Sequence, residues 1–181
     1  MSALEMPASA LLGDGVTLRA FQESDAEMLC DLATDPYLPL IGSLPANADR
    51  TAALGFIQRQ HQRLTEGMGY SFCVTDPADQ AVGTAGLWLA ELSRGRATVG
   101  YCVAPRFRGH GYGRRALSTL TEFAWTLPEL SRIEAYIEPW NLGSVRTVEA
   151  CGYGREGLLR SHQPIGDRRA DMLLYAILRP S

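Results

Sequence analysis

The run Val99-Gly100-Tyr101-Cys102-Val103-Ala104-Pro105-Arg106-Phe107-Arg108-Gly109-His110-Gly111-Tyr112-Gly113-Arg114-Arg115-Ala116-Leu117 decides how this chain folds. Val99, Tyr101 and Val103 alternate with smaller residues, which is the period of a strand. Pro105 ends that strand, because it has no N–H to give to a ladder. Gly109, Gly111 and Gly113 then recur at every second position. Leu117, Leu120 and Ala124 follow at helical spacing. A glycine-rich turn that opens a helix leaves several backbone N–H groups unpaired, at the end where the helix dipole is positive. Such a turn is a cradle for phosphate, and Arg108, Arg114 and Arg115 add full charges around it. On the loop alone, a surface turn with solvated arginines is an equal reading.

Two phosphate-binding patterns are excluded by inspection. A P-loop needs Lys followed by Ser or Thr, and all 17 basic residues of this chain are arginine. The dinucleotide fingerprint needs G-x-G-x-x-G, whereas the spacing here is Arg108-x-x-Gly111-x-Gly113.

The 181 residues suit one domain, 1–181, with residues 1–13 read as a loose tail. The net charge of −3 disfavours a nucleic-acid partner. Cys30, Cys73, Cys102 and Cys151 lie far apart without a C-x-x-C and read as buried thiols in a reducing compartment. His61, His110 and His162 have no ligand spacing, so no metal is expected. Neither a signal peptide nor a membrane span is legible, and the expected location is cytoplasmic.

Taken in order, Val16–Ala20 reads as the first strand. Ser24 and Glu27 read as a capping box before a helix on Met28, Leu29 and Leu32. Residues 35–48 form an apolar, proline-rich loop, either a core plug or the lining of a substrate groove, and a homodimer contact there is conceivable. A second helix starts near Asp49. Strands at Tyr70–Val74, Ala81–Leu89 and the quoted run form an antiparallel meander, in which Gly83 and Gly86 mark close backbone approach or a bulge. The helix after the glycines leads to a strand over Arg132–Glu138, parallel to the quoted one. A helix from about Leu142 to Ala150 follows. Tyr153–Leu158, a polar turn at Ser161–Arg169 and a strand over Asp171–Leu178 complete the chain.

Arg108-x-x-Gly111-x-Gly113 after Val103-Ala104-Pro105 resembles the pyrophosphate-binding motif of the GNAT N-acetyltransferases. Asn141-Leu142-Gly143-Ser144, followed by Cys151-Gly152-Tyr153, is similar to the second signature of that superfamily. Glu156-Gly157 and Leu174-Tyr175-Ala176 resemble its ribosomal-protein N-terminal acetyltransferase branch, and the likeness covers nearly the whole chain. Without the loop at 108–113, Asn141 would read as a turn residue or helix cap and Ser144 as an ordinary first-turn serine.

The resemblance implies an α/β (α+β) fold with a mixed seven-stranded sheet. That sheet is mostly antiparallel, with strands 4 and 5 parallel and splayed, and about four helices flank it. It implies acetyl-CoA as acyl donor and direct attack by a primary amine, most simply a protein or peptide N-terminal α-amine. In this picture Gly109, His110, Gly111, Tyr112 and Gly113 hold the pyrophosphate together with Arg108. The backbone of Tyr101, Cys102 and Val103 bonds the pantetheine arm, and the N–H of Val103 faces the thioester oxygen. Asn141 bonds the pantetheine amide, and Ser144 protonates the leaving thiolate. Glu138 is a candidate base through a water. Glu156, Asp171 and His162 are weaker candidates, and solvent could also deprotonate the amine. A small-amine acceptor, another acyl-CoA and a non-catalytic acyl-CoA-binding module remain alternatives.

Overall fold

The computed structural model describes residues 4–180. Strand β1 (Leu11–Gly13) pairs antiparallel with β2 (Val16–Arg19) around Gly15, whose φ of +67° suits a residue without a side chain. The loose tail expected over residues 1–13 is corrected for its described part. Leu11 enters the sheet, and Leu4 and Met6 pack on the main core. Residues 1–3 of that expected tail lie outside the described residues.

Helix α1 (Ala26–Leu32) is entered through a single 3-10 turn at Glu23–Asp25. The cap expected at Ser24 and Glu27 forms two residues earlier: the Gln22 N–H donates to Asp25 Oδ2 at 2.8 Å. Asp25 is held there because Arg19 donates to both of its carboxylate oxygens, each at 2.9 Å. A one-turn helix, α2 (Leu38–Ile41), sits inside the proline-rich loop. Helix α3 (Arg50–Thr65) begins where Asp49 Oδ1 accepts the Ala52 N–H at 2.8 Å.

The meander is β3 (Gly69–Thr75), β4 (Ala81–Trp88) and β5 (Arg96–Val103). Its register slips between Val74 and Thr75, opposite Gly83 and Ala81. A Cβ on Gly83 would lie 2.2 Å from the Cys102 carbonyl oxygen, so close backbone approach and a bulge meet at the same place. Helix α4 (Tyr112–Ala124), β6 (Arg132–Ile137) and α5 (Leu142–Ala150) follow. The long hairpin of β7 (Gly154–Ile165) and β8 (Arg168–Leu178) closes the chain.

The sheet has eight strands in the order β1-β2-β3-β4-β5-β6-β8-β7, one more than expected because the three-residue β1 is too short to show a period. The polar turn expected over Ser161–Arg169 shrinks to Gly166-Asp167. The strands run on through the polar residues around an irregularity between Leu159 and Gln163, where Asp171 Oδ1 accepts the Ser161 N–H at 2.7 Å. The β5–β6 pair alone is parallel. It holds only from Arg96 to Thr98 against Arg132 to Glu134, and beyond that the two strands part.

One core, with Phe72, Leu87, Leu117, Leu120 and Ile133, lies between the sheet and α4 and α5. A second, with Leu29, Leu32, Ala53, Ile57 and Cys73, lies on the other face under α1 and α3. Each fully buried leucine contributes about 1.5–3 kcal/mol of hydrophobic stabilisation. The loop at 35–48 fills both of its expected roles. Leu44 is buried in the second core, and Tyr37, Leu38 and Ile41 line the cavity. Among the described residues no helix is long and apolar enough to cross a membrane.

Candidate active site

The parting of β5 from β6 opens a cavity of about 1000 Å³ that reaches both faces of the sheet. On one side it is lined by Tyr101, Val103, Gly109, Gly111–Arg114, Asn141 and Ser144. On the other it is lined by Tyr37, Phe56, Gln60, Arg63, Ser71, Trp88 and Glu138.

Helix α4 starts at Gly111, where φ is +78°, after Gly109 at +82°. Arg115 makes the first backbone bond of the helix, from its N–H to the Gly111 carbonyl at 3.2 Å. The N–H groups from Gly109 to Arg114 therefore find no acceptor among the described residues. A Cβ on Gly113 would stand 3.3 Å from the Tyr101 ring, so this glycine lets α4 lie close against the end of β5. Open N–H groups at a helix N-terminus, with Arg114 at the cavity edge, fit a pyrophosphate. Arg108, expected beside the phosphates, has a guanidinium already engaged by Asp35 and, at 3.0 Å, by the Val103 carbonyl. His110 turns its Nδ1 to the Phe107 carbonyl at 3.2 Å, and Tyr112 carries Arg115 5.9 Å above its ring.

Backbone parity sorts the three β5 residues. Ala104 donates to the Val82 carbonyl at 2.9 Å, so by alternation the backbone groups of Cys102 point at β4 and those of Tyr101 and Val103 point into the gap. An extended chain added in the gap meets Tyr101 and Val103. Cys102 contributes its side chain to the opposite face. Burial pushes its thiol up to about 11, which makes it a poor nucleophile.

Asn141 caps α5, its Oδ1 accepting the Ser144 N–H at 3.1 Å. The Tyr101 hydroxyl donates to the Ser144 carbonyl at 3.3 Å. Both backbone groups of Ser144 are thereby fixed, and its hydroxyl is left at the cavity wall. Glu138, just past β6, is 3% exposed. Its Oε1 accepts from Arg168 at 2.7 Å, while its Oε2 is buried without a hydrogen-bond partner among the described residues. Burial works to raise the Glu138 pKa, but Arg168, Tyr37 and Trp140 outweigh it and hold the carboxyl below its usual range. The same carboxylate, after burial, raises the pKa of the Tyr37 hydroxyl. Tyr37 meets Trp140 edge to face at 4.9 Å, and the two rings flank Glu138 on the cavity wall.

The weaker base candidates lie elsewhere. Glu156 takes a two-pronged bond from Arg132, Asp171 binds the Ser161 N–H, and His162 stacks on Tyr136 at 5.1 Å in β7. Reading the sequence for site residues missed Trp140, Arg168 and the Gln60–Arg63–Ser71 group. Trp140 adjoins the asparagine motif and could have been flagged from that. The rest are scattered over α3, β3 and the last hairpin, with no local signal.

A strand–turn–helix with an open N–H cradle, beside two strands that part, is a geometry that fits an extended, phosphate-bearing ligand. The comparisons identify the chain further. Residues 16–154 match the acetyltransferase (GNAT) domain family, and the chain belongs to that family. It is 28% identical over 170 residues to the uncharacterized N-acetyltransferase p20 of Bacillus licheniformis, covering 93% of this chain and 96% of the relative. Two solved structures share the fold. RimL, a ribosomal alpha-N-protein acetyltransferase in complex with coenzyme A, aligns at TM-score 0.80 and 17% identity over 94% of this chain and 98% of its own. The spermidine N-acetyltransferase of Vibrio cholerae, in complex with CoA and spermine, aligns at TM-score 0.73 and 21% identity over 91% and 95%. The chain is an acetyl-CoA-dependent acyltransferase.

Proposed function

We propose that the protein acetylates the α-amine of a peptide N-terminus by direct attack in a ternary complex. The carrying observation is the buried, ionised Glu138, whose Oε2 has no partner, in a cavity that also exposes the Ser144 hydroxyl. Acetyl-CoA supplies a thioester carbonyl that an amine can attack. The N–H groups of Gly109–Gly113 hold the pyrophosphate. Tyr101 and Val103 bond the pantetheine arm, Asn141 lies beside it, and the Val103 N–H faces the carbonyl oxygen as charge gathers there. Glu138 draws the ammonium form of the acceptor to the site and takes its proton through a water. The C–N bond forms, the C–S bond breaks, Ser144 gives a proton to the departing thiolate, and the second proton lost by the acylated nitrogen restores the serine hydroxyl. The branch resemblance and the likeness to RimL support a peptide acceptor; the likeness to the spermidine enzyme keeps a small amine as the second reading.

The test is an acyl-transfer screen read by mass spectrometry. Acetyl-CoA and succinyl-CoA are supplied separately with pooled free-N-terminal peptides and pooled small amines, and CoA release is followed in parallel. Acetylated peptide N-termini are expected. Modification of small amines alone would overturn the peptide reading. Tight acetyl-CoA binding with no transfer to any amine would overturn both.

A further inference from the structure

The acceptor side of the cavity ends in a cation that no carboxylate among the described residues neutralises. Ser71, Gly86 and Gly100 sit opposite one another on β3, β4 and β5 and form a floor of small residues. The Trp88 ring folds back over that floor: a Cβ on Gly100 would come within 2.9 Å of it, and one on Gly86 within 3.0 Å. Arg63, on the last turn of α3, stands with its Cζ 5.5 Å from the centre of the same ring. Its Nη1 donates to Gln60 Oε1 at 2.7 Å and to Ser71 Oγ at 2.9 Å. Gln60 is 3% exposed and is itself anchored by donating to the Phe56 carbonyl at 3.1 Å. Two acceptors thus pin one nitrogen. The Nε and Nη2 edge of the guanidinium has no partner among the described residues.

The other charges in the cavity explain why this one stands out. Asp35 is taken by Arg108 and Glu138 by Arg168, while Arg114 and Arg146 lie on the two helices of the cofactor half. Among the described residues Arg63 is the unpaired charge on the acceptor half. A half-buried guanidinium that keeps its planar fork free matches a carboxylate, which it can bind through two parallel bonds. It repels a second ammonium.

We propose that Arg63, Gln60, Ser71 and Trp88 form an anion subsite for a carboxylate carried by the acceptor, so that the acceptor is an amine that also bears a carboxylate. This rests on the acyltransfer reading above and narrows it. The amine goes to the Glu138 end and the carboxylate to the Arg63 end, and a polyamine is refused. The carboxylate can come from a free amino acid or from an acidic side chain near a peptide N-terminus.

The experiment compares matched acceptors. Short free-N-terminal peptides with Asp or Glu near the start are set against the same peptides with Asn or Gln, ω-amino acids against their amides, and spermidine against both. The wild type is expected to favour the carboxylate over the carboxamide by about 10- to 100-fold in kcat/KM, the range for bonds to a charged group. Arg63→Gln is expected to collapse that ratio mainly through KM, and Arg63→Lys to recover part of it. Peptides or amino acids responding alone identify the source. Equal use of carboxylate and carboxamide by the wild type, or an unchanged ratio in Arg63→Gln, would overturn the subsite. Should no amine be acetylated, glutarate is titrated calorimetrically into the CoA-loaded protein. Binding that Arg63→Gln abolishes would keep the subsite while the acyltransfer reading falls; no binding to either protein would overturn the subsite as well. Circular dichroism and acetyl-CoA affinity establish that each variant is folded.

Discussion

Glu138 and Arg168 form an ion pair at 2.7 Å in which the carboxylate is buried and the guanidinium, on the hairpin after β7, is half exposed. The hairpin tip touches α2 on the far side, because a Cβ on Gly166 would lie 3.4 Å from Leu40. One end of the pair lies just past β6, and the other opens β8 next to the hairpin tip.

This arrangement fixes a pH profile. Arg168 and its neighbours hold the Glu138 pKa below the usual carboxylate value, so the charge is complete above that value and is lost only as pH falls through the lowered one. The pair's contribution to stability follows the same window, fully present above the unfolded pKa and lost in acid. Between pH 5 and 7, kcat/KM should show no acid limb from Glu138. Arg168→Ala removes the largest opposition to burial, leaving Tyr37 and Trp140, and should move the acid limb upward. Glu138→Gln should lower kcat by about 100-fold, as loss of a general base does. A wild-type inflection near pH 6 that Glu138→Gln abolishes would contradict the lowered pKa, and an unchanged kcat in Glu138→Gln would sink the base assignment.

Ser144 has its N–H and its carbonyl committed to Asn141 and Tyr101, so its hydroxyl can be removed without disturbing the helix start. Ser144→Ala should lower kcat by at least about 10-fold while acetyl-CoA affinity, read by calorimetry, stays within about twofold. Equal losses in both would take the serine out of the acid role.

The cradle, the strand before it and the asparagine motif were legible because each is a continuous run whose spacing is set by backbone geometry. On the acceptor half only Glu138 and the 35–48 loop were. Arg63, Ser71, Trp88 and Arg168 come from four elements, α3, β3, β4 and β8, and only the fold brings them together. The cap at Gln22 and Asp25 was missed for a related reason. The local pattern Ser24-x-x-Glu27 satisfies the rule, but Arg19, on the preceding strand, captures Asp25 and fixes the helix entry there. The polar stretch from Ser161 to Arg169 read as a turn because its alternation is hidden by charge, yet its backbone pairs almost to the tip.

Arg19 and Asp25 supply a stability prediction. Asp25 is 1% exposed, with Arg19 and the Gln22 N–H as its partners. Removing the guanidinium strands a buried charge, a change that costs about 3–5 kcal/mol elsewhere. Arg19→Met should therefore lower the urea midpoint with little change in m. The double variant Arg19→Met, Asp25→Leu should recover a large part of the loss, since the carboxylate then no longer needs a partner. No recovery would mean that the pair's role is to seat α1 rather than to neutralise charge.

Gly111 tests the cradle itself. Its φ of +78° is left-handed, and no atom lies closer than 4.0 Å to the position of an added Cβ. Space inside the protein therefore does not demand glycine here, whereas conformation does, and so would the approach of a phosphate in the proposed cradle. The two demands separate by choice of substituent. Gly111→Asn tolerates the left-handed region better than most side chains, so it should stay folded with a strain of about 1 kcal/mol or less. It still places a side chain where the open N–H groups of Gly109–Arg114 face outward. Acetyl-CoA affinity should then fall by about 10-fold or more while the thermal midpoint moves by only a few degrees. Gly111→Val adds the strain of a branched residue at positive φ and should lose both. Undiminished acetyl-CoA binding in a folded Gly111→Asn protein would mean that the phosphates do not lie against this turn.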